Sequence, residues 1–175
     1  MNTPIIPDIL QPNLALVFCG TAPSRVSAQK GAYYANPANK FWRTLFAVGL
    51  IPLALTPNEF ACLPEFGIGL TDMAKYAVGN DSDLSASDFD REAFISKMAQ
   101  YQPRCVAFTS KKAASVFLEC ATSQLHYGLQ TTMMTHPDGS QTHFFVLPSP
   151  SGLATSYWDE RVWHDLAEWL RQNRA

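Results

Sequence analysis

Leu14-Ala-Leu-Val-Phe-Cys19 is an unbroken apolar run closed by Gly20. It is too short for a substantial helix, and its lack of alternation implies cover on both faces, as in a buried strand of a parallel sheet. Phe66-Gly-Ile-Gly-Leu70 is a second short strand candidate and leads into Thr71-Asp72. Arg104-Cys-Val-Ala-Phe-Thr109, after the break at Pro103, is a third. Thr131 to Thr135 and Gln141 to Leu147 flank His136-Pro-Asp-Gly-Ser140, which reads as a hairpin turn.

Helical patterns fill the intervals. One starts near Pro37 or Asn39 and runs through Phe41, Trp42, Leu45 and Phe46 to a stop at Gly49. A second covers Asp88 to Tyr101, with Ser87 as N-cap candidate and an apolar face of Phe89, Ala93, Phe94, Met98 and Tyr101. Asp88 and Asp90 suit the positive end of its dipole. A third covers Lys111 to Ala121. The last, Tyr157 to Asn173, is amphipathic, with Trp158, Val162, Leu166, Trp169 and Leu170 as the expected buried face.

Strands alternating with helices over 175 residues predict one α/β domain spanning 1–175, a three-layer α/β/α sandwich around a short, mainly parallel central sheet. In such sheets ligands sit beyond the C-terminal ends of the strands. The loops 20–36, 71–83 and 148–154 leave such ends with unusual composition, so function is expected there.

Composition removes several classes. Hydrophobic residues are 47% and charged residues 16%, which supports a core and gives no disorder signature. A net charge of −2 excludes a generally polybasic binder of nucleic acid or membrane, though not a local basic face. No apolar run nears the roughly 18 residues of a membrane span. The N-terminus has neither the basic nor the apolar region of a signal peptide, so a cytoplasmic protein is expected. Cys19, Cys62, Cys105 and Cys120 lack metal-ligand spacing and read as buried reduced thiols. The four histidines show no ligand pattern either, so neither metal nor cofactor is expected. Gln11 to Asn58 contains no Asp or Glu but holds Arg25, Lys30, Lys40 and Arg43. That is either an ordinary surface or a face suited to a polyanion.

Three stretches carry the chemistry: Val17-Phe-Cys-Gly-Thr-Ala-Pro-Ser-Arg25 with Gly31 to Trp42 behind it, Gly67-Ile-Gly-Leu-Thr-Asp-Met-Ala-Lys75, and Val146-Leu-Pro-Ser-Pro-Ser-Gly-Leu-Ala154. In this order and spacing, over roughly residues 8 to 170, they resemble the uracil-DNA glycosylase superfamily, most closely its mismatch-specific uracil/thymine branch. The resemblance implies a monomeric enzyme that flips a deaminated or mismatched base from DNA and hydrolyses its glycosidic bond. The turn of Gly20, Thr21, Ala22 and Ser24, shaped by Pro23, would bring backbone N–H groups to the base, and Tyr34 would stack on it. Leu153 would wedge into the duplex, with Ser149, Ser151 and Gly152 holding neighbouring phosphates and Arg25 and Lys30 facing DNA.

Asn36 is either a base contact or a turn residue before Pro37, and Asn39 reads as a cap for the helix behind it. Two departures from the family pattern stand out. Ala22 occupies the position of the water-orienting Asn, with Ser24 in that of the final Gly. Ser149 stands where the uracil-specific enzymes have His and the mismatch branch Asn. These imply modest rates and relaxed specificity. Asp72 is then the candidate for water activation, unless it caps a helix over Met73 to Val78. Lys75 is expected as a surface or phosphate contact, and with no Lys suited to Schiff-base chemistry the enzyme would be monofunctional. Alternatives are a glycosylase for another deaminated base such as hypoxanthine, a non-catalytic lesion binder and, on the Gly20 turn alone, a phosphate loop for a free nucleotide.

Overall fold

The computed structural model describes residues 3–174; positions 1, 2 and 175, the ends of the expected domain, lie outside them. The strands are β1 (Leu16–Gly20), β2 (Ile68–Asp72), β3 (Cys105–Phe108), β4 (Gly128–Thr135) and β5 (Gln141–Val146). They form one five-stranded sheet in the order β2-β1-β3-β5-β4, parallel except for β4, which pairs antiparallel with β5 through the expected hairpin. Helices α1 (Arg25–Lys30), α2 (Phe41–Ala47), α3 (Arg91–Tyr101), α4 (Lys111–Leu118) and α5 (Glu160–Gln172) complete the fold.

The apolar run of β1 serves two cores. Leu16 and Phe18 pack with Phe41, Trp42 and Leu45 of α2 and Trp163 and Leu166 of α5. Val17 and Cys19 pack with Phe94 and Met98 of α3 and Phe117 of α4. Adjacent residues of a strand point to opposite faces, so cover on both sides makes every position apolar. The result is the predicted α/β/α sandwich. Cys19 and Cys105 are buried, Cys62 and Cys120 are half-buried, and all four are free thiols. Among the described residues no helix is long and apolar enough to cross a membrane.

Several boundaries differ from expectation. The 20–36 stretch is not all loop: Ser24 accepts a hydrogen bond from the Ser27 N–H and starts α1, a polar helix with little apolar periodicity. The helix expected from Ser87 begins instead after Asp90, whose carboxylate accepts from the Ala93 N–H. Asp88 closes a separate 3-10 turn by accepting from the Ser85 N–H. Phe46, expected inside, is 49% exposed, because the buried stripe of α2 is Phe41, Trp42 and Leu45. In α5 the innermost residues are Trp163, Leu166 and Ala167, while Trp158, Val162, Trp169 and Leu170 flank them half-buried. Trp163 fixes that rotation by stacking on Phe18 at 5.7 Å and donating its indole N–H to the Pro148 carbonyl at 3.1 Å. Residues 152–157 form a 3-10 segment ahead of α5, which is capped by Asp159.

One edge of the sheet, β2, is met by the N-terminal segment. Ile9 and Leu70 exchange backbone hydrogen bonds at 2.9 Å each, and the Ile5 N–H donates to the Lys75 carbonyl at 2.8 Å.

Candidate active site

The four parallel strands end at the same edge, where their loops enclose a cleft of about 400 Å³, at the small end of the range for small-molecule sites. Gly20, Thr21, Ala22 and Ser24 line it from β1, Asp72 from β2, and Ser149, Ser151 and Leu153 from the segment after β5. Tyr34 lines it from the loop behind α1. Sequences up to about 130 residues apart thus meet at one mouth, as parallel topology dictates.

Gly20 and Asp72 are register partners at the ends of their strands. A β-carbon placed on Gly20 would lie 2.7 Å from Asp72 Oδ1 and 3.2 Å from the Tyr34 hydroxyl, so only glycine leaves room for both. Pairing continues past the strands, with Met73 N–H donating to the Gly20 carbonyl and Ala74 N–H to that of Thr21. No helix starts at Asp72, and residues 73–78 are irregular, which removes the cap reading. Its carboxylate is buried and Oδ2 has no hydrogen-bond partner. Burial pushes its pKa up, Lys75 opposes that, Asp8 adds to it and Lys97 opposes it, leaving the group at about 6.

Lys75 is not on the surface. Its ammonium is buried, donating to Asp8 Oδ1 at 2.9 Å and to the Tyr33 hydroxyl at 3.0 Å, and it lies 4.0 Å from Asp72 Oδ2. Tyr34 stacks one ring face on Phe41 at 3.9 Å, and its hydroxyl pairs with Thr109 Oγ1 at 2.9 Å. Burial keeps that phenol protonated by pushing its pKa well up, an effect to which the Asp72 charge adds. The φ of Tyr34 is 52°, a left-handed backbone uncommon for a bulky side chain and of the kind retained at functional sites.

Other candidates fall outside the cleft or have local duties. Asn36 is exposed, does not line it, and accepts from the Ala38 N–H in a tight turn. Asn39 does line the cleft while accepting from the Phe41 N–H at the start of α2. Arg25 and Lys30 are exposed on α1 and are not among the lining residues. Ser149 accepts from the Ser151 N–H and Ser151 from the Leu153 N–H, so both hydroxyls shape their own loop. That loop is fastened to the 36–40 turn: Lys40 N–H donates to the Pro150 carbonyl at 2.8 Å, and a β-carbon on Gly152 would strike Ala38 at 2.7 Å. Gly152 itself does not line the cleft. Leu153 projects from its rim, 78% exposed.

Sequence reasoning overlooked Thr109 and Ser110, which line the cleft from the end of β3. Ser110 caps α4 and its hydroxyl meets Thr21 Oγ1 at 3.1 Å. The rule that selected the other three loops, position beyond a parallel strand, applies equally to this one.

A family model described as the uracil DNA glycosylase superfamily matches residues 7–169. The chain belongs to that superfamily. Membership makes it a DNA glycosylase in general class, a hydrolase of N-glycosidic bonds with DNA as substrate. The fold is shared with a provisionally assigned uracil DNA glycosylase from Methanosarcina acetivorans, solved by solution NMR. That structure superposes with a TM-score of 0.63 at 24% identity, covering 95% of this chain and 96% of the other.

Proposed function

We propose that this glycosylase is monofunctional and releases deaminated bases, uracil foremost, from DNA, with Asp72 as the group that activates water. The observation that carries the proposal is the buried carboxylate of Asp72 at a cleft of base-binding size: Oδ2 has no hydrogen-bond partner, and Oδ1 lies beside a glycine that holds space open for it. Glycosidic cleavage builds positive charge on the sugar and negative charge on the leaving base. A carboxylate near the sugar can accept the proton of the attacking water and offset the cation. A value of about 6 leaves it ionised at neutral pH and basic enough to take that proton.

The remaining parts have corresponding tasks. The turn at 20–24 approaches the base with its backbone, and the face of Tyr34 turned from Phe41 receives it. Leu153 fills the gap left in the duplex. Lys75 does not act as a Schiff-base nucleophile, because its ammonium is engaged with Asp8 and Tyr33.

Breadth across deaminated bases, hypoxanthine included, is favoured by the two hydroxyl pairs at the cleft, Tyr34 with Thr109 and Thr21 with Ser110. In each, either oxygen can be the donor, so a base edge of either polarity can be met.

The test is an oligonucleotide carrying one uracil or one hypoxanthine, incubated with wild-type protein and Asp72→Asn and then treated with alkali. Wild-type protein should release base, and Asp72→Asn should be slower by about two decades or more. Wild-type rates for Asp72→Asn across about pH 5 to 8 would dismiss Asp72 as the base. Lesion binding without release by the wild type would make the protein a binder instead.

A further inference from the structure

Asp72 belongs to a charged cluster drawn from several parts of the fold. Lys75 approaches it from the segment after β2, Asp8 from the N-terminal segment and Lys97 from α3, while Tyr33, Tyr34 and the Cys19 thiol complete its titratable surroundings. Both lysines are bonded to Asp8 rather than to Asp72. Lys75 Nζ lies 2.9 Å from Asp8 Oδ1 and Lys97 Nζ 2.6 Å from Asp8 Oδ2. Thr71 adds a third bond, its hydroxyl donating to Asp8 Oδ1 at 2.7 Å. Burial works against the Asp8 charge, but Lys75 and the hydrogen bonds from Lys97, Lys75 and Thr71 outweigh it and hold Asp8 below the usual carboxylate range. Asp8 is therefore a fixed anion.

The geometry of Lys75 is the informative part. Its ammonium reaches Asp8 and the Tyr33 hydroxyl at hydrogen-bond distance, whereas Asp72 Oδ2 stays at 4.0 Å, outside that range. Without a cation nearby, a carboxyl buried like Asp72 would remain protonated at neutral pH. With a cation bonded directly to it, the carboxylate would be held strongly as the anion and the group would become a weak base. The observed separation meets neither fate: the charge is supported through space while Oδ2 accepts no hydrogen bond from Lys75.

We propose that Asp8 is a positioning residue for base excision, anchoring Lys75 at a distance where its ammonium supports the Asp72 charge without bonding to it. This rests on Asp72 acting as the base. Asp8 and Lys75 then have opposite effects on the same carboxylate. Removing Lys75 withdraws the support. Removing the Asp8 charge frees Lys75 to close on Asp72.

The experiment is the single-turnover pH–rate profile, from about pH 4.5 to 9, of wild type, Lys75→Met and Asp8→Asn on a single-stranded oligonucleotide with one uracil. Lys75→Met should move the acid limb up by about one pH unit or more, and Asp8→Asn should move it down by a similar amount with a lower plateau. A limb's position does not depend on the fraction of protein that folds, so partial misfolding leaves the reading intact. A merely structural role would lower rates without moving the limbs. Unmoved limbs, or limbs moving in the same direction, would overturn the inference while Asp72→Asn still loses activity. Full activity of Asp72→Asn, run alongside, would instead bring down the base assignment and this inference with it.

Discussion

Burial is the main reason the Asp72 carboxyl titrates at about 6 instead of 3.8, against the pull of Lys75 and Lys97 and with the push of Asp8. The folded protein thus holds that proton more tightly than the unfolded chain. Its contribution to stability is fully present below the unfolded value of 3.8 and is lost as pH rises through about 6. At about 1.4 kcal/mol per pH unit, the displacement makes the ionised residue destabilising by at most about 3 kcal/mol at neutral pH. Asp72→Asn keeps the shape and removes the charge. It should therefore raise stability by about 1–3 kcal/mol above pH 7, a gain in Tm of roughly 2–10 °C for a domain of this size. Near pH 4 the gain should largely vanish, since the folded carboxyl is then protonated and the unfolded one, with its value of 3.8, is about half so. Thermal denaturation at the two pH values, with base release on the same preparations, measures it. An Asn variant that is inactive yet more stable is the pattern of a site held at the expense of the fold. A variant less stable than wild type at pH 8, or equally shifted at both pH values, would refute the account of Asp72 as a charge held against burial.

Substitutions at three other positions probe the cleft. Gly20→Ala places a methyl 2.7 Å from Asp72 Oδ1; the resulting displacement should slow single-turnover base release by about 100-fold and cost about 1–3 kcal/mol in denaturant unfolding. Tyr34→Ala should cost about one to two decades in the same rate, the value of one base–aromatic stack, while Tyr34→Phe, which loses only the hydroxyl bond to Thr109, should retain most of it. Leu153→Ala should reduce release from duplex far more than from single-stranded substrate, since only a duplex has a gap to fill, and equal losses on both would remove the wedge.

What could be read from the sequence follows from the range of the interactions involved. β1 and β3 were legible because cover on both faces leaves an uninterrupted apolar string. Gly20 and Asp72 were legible because a parallel sheet gathers its strand ends. α1 was not, since its only buried residue is Ser27 and it is organised by the Ser24 cap rather than by an apolar stripe. Trp163 was missed because the flanking residues of α5 also form an apolar arc, and only the stack on Phe18 and the bond to Pro148 choose its rotation. The Lys75–Asp8 pair could not be found at all. Spacing alone suggested a surface or phosphate contact for Lys75, and its burial depends on a segment far away in sequence laid along the sheet edge.

That segment gives the molecule an uneven resistance to opening. Asp72 rides on β2, an outer strand, whereas β1 and β3 are enclosed by neighbours on both sides. What secures β2 from outside is the bridge between Ile9 and Leu70 and the bond from Ile5 to Lys75. Detachment of residues 5–9 would unfasten Asp8 and the outer strand together and draw Ile6 from the first core while the second stayed packed, a sub-global fluctuation of the kind that hydrogen exchange resolves. The β4 edge, which contributes nothing to the cleft, can fray without consequence for catalysis. The lifetime of the competent enzyme should follow that clasp, and on heating, activity should disappear before the sheet melts.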